Sequence, residues 1–324
     1  MDNHPFNQEQ LSELILITSE RLGIKDPSII EKDIYITQAL KAFSNIKNEN
    51  FQLIFGGGTS LTKAHRLVRR MSEDIDFKIK SFDSSWSKMQ LRSELKKLHQ
   101  QILLAIENSN FTLIKNIARN ENRYLKIELA YPSAFSLPDN LRPHILLEFT
   151  ASKIRLPTLN LFVKTLIQEV MENEIPLTNS KCDCLSLDEI AAEKWVALTR
   201  RISKTERGYI KPDKWLIRHL YDIAAIGIAN KLGNDFFMII KNIIASDAKQ
   251  FKTQHPEYFN DPMQEINRSI HILENNPYWQ SCYDNFIDVM VFDKIKPVNY
   301  QDAIQILKIV SNKIINGSQH EIFI

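Results

Sequence analysis

Residues 51–77 read FQLIFGGGTSLTKAHRLVRRMSEDIDF, and their pattern decides the fold. The apolar run FQLIF (51–55) is short, lacks helical spacing and stops at Gly56-Gly57-Gly58, as a buried strand delivering a glycine turn does. TSLTKAHRLV then reads as a short helix, and DIDFKIK (74–80) alternates with period two, as a half-buried strand does. Strand, glycine turn, helix and strand therefore follow one another within thirty residues. No G-K-[ST] closes the turn as in a Walker loop, and no third glycine falls at the dinucleotide spacing. Backbone N–H groups at such a turn can still hold phosphate oxygens.

Asp74 and Asp76 are the chemical signal. In a strand, side chains at i and i+2 point the same way, so both carboxylates converge on one hard cation. An isolated Asp-x-Asp is an ordinary surface pattern, and only its place after the glycine turn makes it informative. The third acid that a two-metal site uses has two candidates, Glu148 in HILLEFT (144–150) and Glu128 in YLKIELAY (124–131). Glu148 sits in an apolar run and needs a partner, which is either an ion pair or a metal. Glu128 reads more simply as a solvated strand residue.

Working outward, residues up to about 48 read as helical, with Asp26 as a cap and Pro27 at the first helical position. A helix over about 84–108 follows the second strand, and FTLIKNI (111–117), YLKIELAY and HILLEFT are three further strands. Beyond 157 the pattern turns helical, with PLTNSKCDCLSL (176–187) adding an edge strand. Amphipathic segments at 188–203, 213–231, 233–246, 262–275 and 299–315 complete the chain. The expected class is α+β: a mixed sheet with flanking helices over 1–180, and a helical domain over 181–324.

Composition bounds the rest. The chain has 324 residues, 44% hydrophobic and 25% charged, which excludes disordered and collagen-like classes. Forty-one basic against 39 acidic residues leave +2, so a polyanion would have to be held by a local patch. Arg200, Arg201, Lys204, Arg207, Lys211, Lys214 and Arg218 form one basic cluster, interleaved with Tyr209, Trp215 and Tyr221. Lys63, His65, Arg66, Arg69 and Arg70 form another; such runs are otherwise solvated faces. Three cysteines make neither a disulfide framework nor a zinc site, and Cys182-x-Cys184 is expected to be inert. The polar N-terminus and the absence of a long apolar run predict a cytoplasmic protein with no membrane partner.

Gly57-Gly58-Thr59 followed by Arg70, Ser72, Asp74, Ile75 and Asp76 resembles the signature of AbiEii/AbiGii-type toxin nucleotidyltransferases, within the DNA polymerase β-like superfamily. Glu31-Lys32-Asp33 with Thr37 is similar to a family helix, and SLDEIAAEKWVALTRR resembles the family's lysine helix with Lys194 at the key position. Arg218-His219-Leu220-Tyr221-Asp222 resembles the R-D-x-x-D segment, with His219 in place of its first aspartate. The likeness spans about 25–230. It implies that Asp74, Asp76 and Glu148 hold Mg2+ (or Mn2+), the preference for Glu148 resting on where the superfamily places its third acid. Gly57, Gly58, Thr59, Ser60, Lys63, Arg70 and Ser72 would contact the NTP. Lys194 and Asp222 would join the catalytic cleft, Lys194 as a cation facing the triphosphate. Thr59 and Ser60 read equally as helix caps. The implied reaction moves a nucleoside monophosphate from NTP to a hydroxyl, with RNA, at a tRNA 3′ end, as acceptor and an antitoxin as partner. The rival readings are a protein or small-molecule acceptor, and an inactive nucleotide-binding module, which His219 favours.

Overall fold

Two capped helices begin the chain. The computed structural model describes residues 7–83, 85–137, 141–172, 180–208, 211–292 and 297–316. Asn7 caps α1 (Gln8–Leu22), and Asp26 caps α2 (Pro27–Ser44) by accepting from the Ser28 N–H at 3.0 Å, with Pro27 in the first turn. There follow β1 (Phe51–Gly56), α3 (Gly57–Lys63), β2 (Asp74–Ser81), α4 (Lys88–Glu107), β3 (Thr112–Arg119), β4 (Tyr124–Ala130), β5 (Ile145–Ala151), β6 (Leu159–Val163), α5 (Leu166–Val170) and β7 (Ser180–Cys184). By chain contacts, Met1–Arg66 with Met71–Leu185 make one compact unit, and Leu67–Arg70 with Ser186–Ile324 make a second.

The first unit is built on a seven-stranded mixed sheet of order β3-β4-β5-β2-β1-β7-β6. β2 runs antiparallel to β1 and parallel to β5, β1 runs parallel to β7, and the outer pairs are antiparallel. Period-two alternation divides the central strands into two faces. Ile75, Phe77, Ile79, Leu125, Ile127, Leu129, Leu147 and Phe149 are buried on one. Phe77 stacks on Phe149 at 5.2 Å, and Phe43 of α2 meets Phe149 edge-on at 6.3 Å. Each fully buried phenylalanine contributes about 1.5–3 kcal/mol of apolar transfer energy, which fixes the strand register. Asp74, Asp76, Lys78, Tyr124, Lys126, Glu128, Glu148 and Thr150 lie on the other face, half-buried.

Two expectations are corrected here. The stretch after 157 is not helical at first: LNLFV forms β6, the edge strand, with only Val163 buried. Its exposure removed the alternation that would have marked it. Ser180–Cys184 is a strand, but an interior one between β1 and β6, while residues 173–179 of the same stretch lie outside the described residues.

The second unit is helical: α6 (Leu187–Glu206), a 3-10 turn at Lys214–Ile217, α7 (Arg218–Ile228), α8 (Asn234–Gln250), α9 (Pro256–Asn260), α10 (Pro262–Asn275), α11 (Pro277–Met290) and α12 (Tyr300–Asn316). α6 is central, with Ile190, Ala191, Trp195, Leu198 and Ile202 buried and the Trp195 indole N–H donating to Ser311 at 3.2 Å. α9 and α11 fall outside the amphipathic segments expected above, and each opens on a proline, Pro256 and Pro277. Both sit in a first turn, where a missing N–H costs nothing, and Asn276 caps α11 by accepting from Tyr278 at 3.0 Å.

One buried side chain sets a pH limit. His99, on the inner side of α4 with Leu95, Leu98 and Ile102, is 6% exposed, and its Nε2 has no hydrogen-bond partner among the described residues. Burial pushes its pKa down to about 4. The unfolded chain therefore binds more protons between the ordinary value of about 6.5 and 4, and stability falls as pH drops through that window. A His99→Gln variant is expected to lose stability less steeply there, by up to about 1.4 kcal/mol per pH unit. Parallel urea-denaturation curves for the two proteins would reject this.

Candidate active site

The glycine turn is constrained by what it touches. Gly57 has φ +69°, and a Cβ there would lie 1.9 Å from Asp76 Oδ2 and 2.7 Å from its Cγ. Only glycine tolerates both the left-handed backbone and the carboxylate against it. Gly57→Ala is expected to destabilise the first unit by about 1–3 kcal/mol and to displace Asp76, so that transferase activity falls by more than the lost stability explains. Activity per folded molecule equal to wild type would contradict this.

The residues after the turn are structural. The Thr59 hydroxyl, buried, bridges the Ser72 hydroxyl at 2.9 Å and the Asp74 main-chain carbonyl, so it ties α3 to β2. The Ser60 hydroxyl donates to the Gly57 carbonyl at 2.9 Å. Neither side chain caps α3, and both are shut from solvent. Lys63, expected at a phosphate, is also buried; its ammonium pairs with Asp33 and approaches the Lys164 carbonyl at 3.4 Å. Gly57, Gly58 and Ser72 keep partial exposure.

The sheet register aligns the acids. Asp76 pairs with Glu148 across β2 and β5, and Glu148 pairs with Lys126 on β4. Asp74 pairs with Leu146, which pairs with Glu128. Glu148 is therefore one strand spacing, about 4.8 Å, from Asp76, and Glu128 is two spacings from Asp74. The Tyr124 phenol donates to Glu148 Oε1 at 2.7 Å. Burial, that bond and the charges of Glu148 and Asp76 push the phenol up, so Tyr124 stays a donor. Glu128 forms a looser pair with Lys126 at 3.4 Å. Among the described residues no group of three or more His, Cys, Asp or Glu is gathered closely enough to cage an ion. A hard cation such as Mg2+ needs fewer, since it takes one or two carboxylates and completes its shell from water and phosphate.

A charged network runs from α2 to Asp74. On α2, Glu31 accepts from the Ala134 N–H at 2.7 Å, and Asp33 accepts from the Leu166 N–H at 2.8 Å as well as from Lys63. Between them Lys32, fully buried, pairs with Glu73 and donates to the Arg142 carbonyl at 2.6 Å. Glu73 in turn accepts from the Arg142 N–H at 2.8 Å, and the Arg142 guanidinium pairs with Asp74. Arg142, Glu73 and Tyr124 were not singled out from sequence. Three successive charges on an otherwise apolar helix were the available signal, because such charges are buried only when paired.

In the second unit Asp222 is fully buried and bonds Arg70 through both oxygens at 2.7 Å, with Lys194 at 2.8 Å. Burial alone would raise its pKa, but the two cations override this and hold it well below the usual carboxylate range. Arg70, 1% exposed, is thus an interior residue engaged by Asp222 rather than an open nucleotide contact. Both of these partners of Asp222 are distant from it in sequence. Lys194, on α6, is also buried, and burial depresses its pKa while Asp222 opposes the shift.

A family model described as the AbiEii nucleotidyl transferase toxin of a type IV toxin–antitoxin system matches residues 38–298, about four-fifths of the chain. The chain belongs to the AbiEii family.

As an AbiEii-family member it is a toxin nucleotidyltransferase, and the type IV assignment implies an antitoxin partner. Among solved structures, MenT4, a nucleotidyltransferase toxin from Mycobacterium tuberculosis H37Rv, is 15% identical with a TM-score of 0.39, covering 68% of this chain and 73% of its own. A protein from H. pylori described as a candidate nucleotidyltransferase is 14% identical with a TM-score of 0.44, covering 90% and 99%. No curated protein matches. No described helix is long and apolar enough to cross a membrane.

His219 is enclosed by charged neighbours. Its Nδ1 is shut from solvent without a partner among the described residues, and burial together with the Lys194 and Arg218 charges keeps the ring neutral. The two basic clusters prove largely self-satisfied. Arg200 pairs with Asp247 at 2.6 Å, Arg201 with Asp213 at 2.7 Å and Arg207 with Glu265, while the His65 ring bonds the Leu185 carbonyl at 2.9 Å. Tyr221 is buried against Phe286 at 5.5 Å, so it is core rather than a base platform; Tyr209 lies outside the described residues. Cys182 and Cys184 are buried thiols with sulfurs 3.5 Å apart.

Proposed function

We propose that this enzyme transfers a nucleoside monophosphate from an NTP to a hydroxyl of RNA, at a tRNA 3′ end, in a reaction that needs a divalent metal. The observation that carries the reading is the placement of Asp76 against the Gly57 turn, with Asp74 on the same strand face and Glu148 opposite in register. Asp74 and Asp76 would hold Mg2+, or Mn2+, and their hard oxygen donors suit it. When bound, that ion would neutralise triphosphate charge and orient the α-phosphorus. The turn at Gly57 and Gly58 would seat phosphate oxygens on backbone N–H groups. The acceptor oxygen attacks the α-phosphorus, the bond to the β-phosphate oxygen breaks, and pyrophosphate leaves. Glu148, bonded at Oε1 by Tyr124, would take the acceptor's proton on its other oxygen.

An RNA acceptor is supported by the same sheet face farther out. Lys115 and Arg119, exposed on β3, pair in register with Glu128 and Tyr124, and Lys126 lies between them on β4. Those cations suit a phosphate backbone. The test is incubation with each α-labelled NTP plus Mg2+ and, separately, total RNA, purified tRNA or protein extract. Label in tRNA, lost with EDTA and in periodate-oxidised tRNA, is expected. Label in protein alone would replace the RNA reading.

A further inference from the structure

We propose that Arg142 guards Asp74 in the free enzyme and becomes a triphosphate-binding residue when metal and nucleotide arrive. This rests on the metal-dependent reading above. The Arg142 side chain is 42% exposed, yet its guanidinium pairs with the Asp74 carboxylate, which is 16% exposed. Its root is far less free than its tip. The Arg142 N–H donates to Glu73 at 2.8 Å, its carbonyl accepts from Lys32 at 2.6 Å, and the buried Lys32–Glu73 pair holds both ends of the clamp. An ordinary surface arginine has no such anchorage, and its ion pair is worth little. Here the fixed main chain keeps the guanidinium within one side-chain length of Asp74.

Electrostatics gives the contact its purpose. Asp74, Asp76 and Glu148 occupy neighbouring positions on one face, and three like charges so placed repel. The guanidinium supplies one counter-charge. A divalent ion brings two to the same oxygens, so metal and guanidinium compete for Asp74 Oδ1, the atom that Arg142 holds. Once displaced, the guanidinium has the exposure to swing while its root stays clamped. The anion that then comes within reach is the triphosphate, and a planar fork binds phosphate oxygens in pairs where a lysine offers a single point charge.

The proposal predicts effects of opposite sign from one substitution. Arg142→Ala should bind Mn2+ alone about tenfold more tightly, because the competing cation is gone, and a non-hydrolysable NTP with Mn2+ about tenfold more weakly. Arg142→Lys should restore Mn2+ affinity to near wild type while leaving the nucleotide weakened, since it keeps the charge and loses the fork. Electron paramagnetic resonance of free Mn2+ and calorimetry on the intact chain read both constants without turnover. If wild type binds Mn2+ and Arg142→Ala leaves that affinity unchanged or lower, the proposal is wrong and the metal reading survives. If neither protein takes up Mn2+, even with the analogue, the metal reading fails and takes the proposal with it.

Discussion

Asp76→Asn is expected to cut nucleotidyl transfer by about 10³-fold, roughly 4 kcal/mol of transition-state stabilisation, while the folded protein is retained. The carboxamide has the shape of the carboxylate, so it fits against Gly57, where the Asp76 oxygen leaves no room even for a methyl group. What it lacks is the charge. Under the mechanism proposed above, one of two carboxylates holding the metal would be neutral, and repulsion within the triphosphate would go uncompensated. The loss should appear in kcat more than in thermal stability, and Mn2+ affinity should fall in parallel. A variant with wild-type turnover at saturating NTP would remove Asp76 from the mechanism. Glu128→Gln, two strand spacings from Asp74, serves as the control and is expected to change turnover little.

Asp222→Ala is expected to destabilise the second unit by about 3–5 kcal/mol. The carboxylate is the shared partner of Arg70 and Lys194, whose side chains are 1% and 7% exposed, and its removal leaves two cations without their counter-charge in the interior. Lys194 can relieve part of the cost by releasing its proton, the direction in which burial already pushes it, whereas an arginine cannot. Denaturation of the full chain measures the effect. Replacing all three residues by apolar ones of similar volume should recover much of the loss, because desolvation offsets most of a buried pair's attraction. A loss under about 1 kcal/mol would mean that water reaches the triad. The same carboxylate adds to acid sensitivity. Its folded pKa is depressed, so its contribution is present above the ordinary carboxylate value and is lost as pH falls below it.

Local pattern was sufficient for much of this protein. Period-two alternation over 74–80 and the break at Gly56-Gly57-Gly58 specify a strand feeding from a turn, and the i,i+2 rule puts Asp74 and Asp76 on one face without coordinates. Asp26 and Pro27 open a helix because capping is decided within a few residues. The family signature is likewise carried by short segments read in order. Tertiary structure alone decided the partners. Asp222 lies 152 residues from Arg70, Lys32 lies 110 from the Arg142 carbonyl, and Tyr124 lies 24 from Glu148. Periodicity tells which side of an element is buried, but which charge meets which depends on strand order and register, and these are set by the packing of the whole sheet. For that reason Lys63 and Arg70, read as phosphate contacts, are interior ion pairs, and Arg142, silent in the sequence, stands on Asp74.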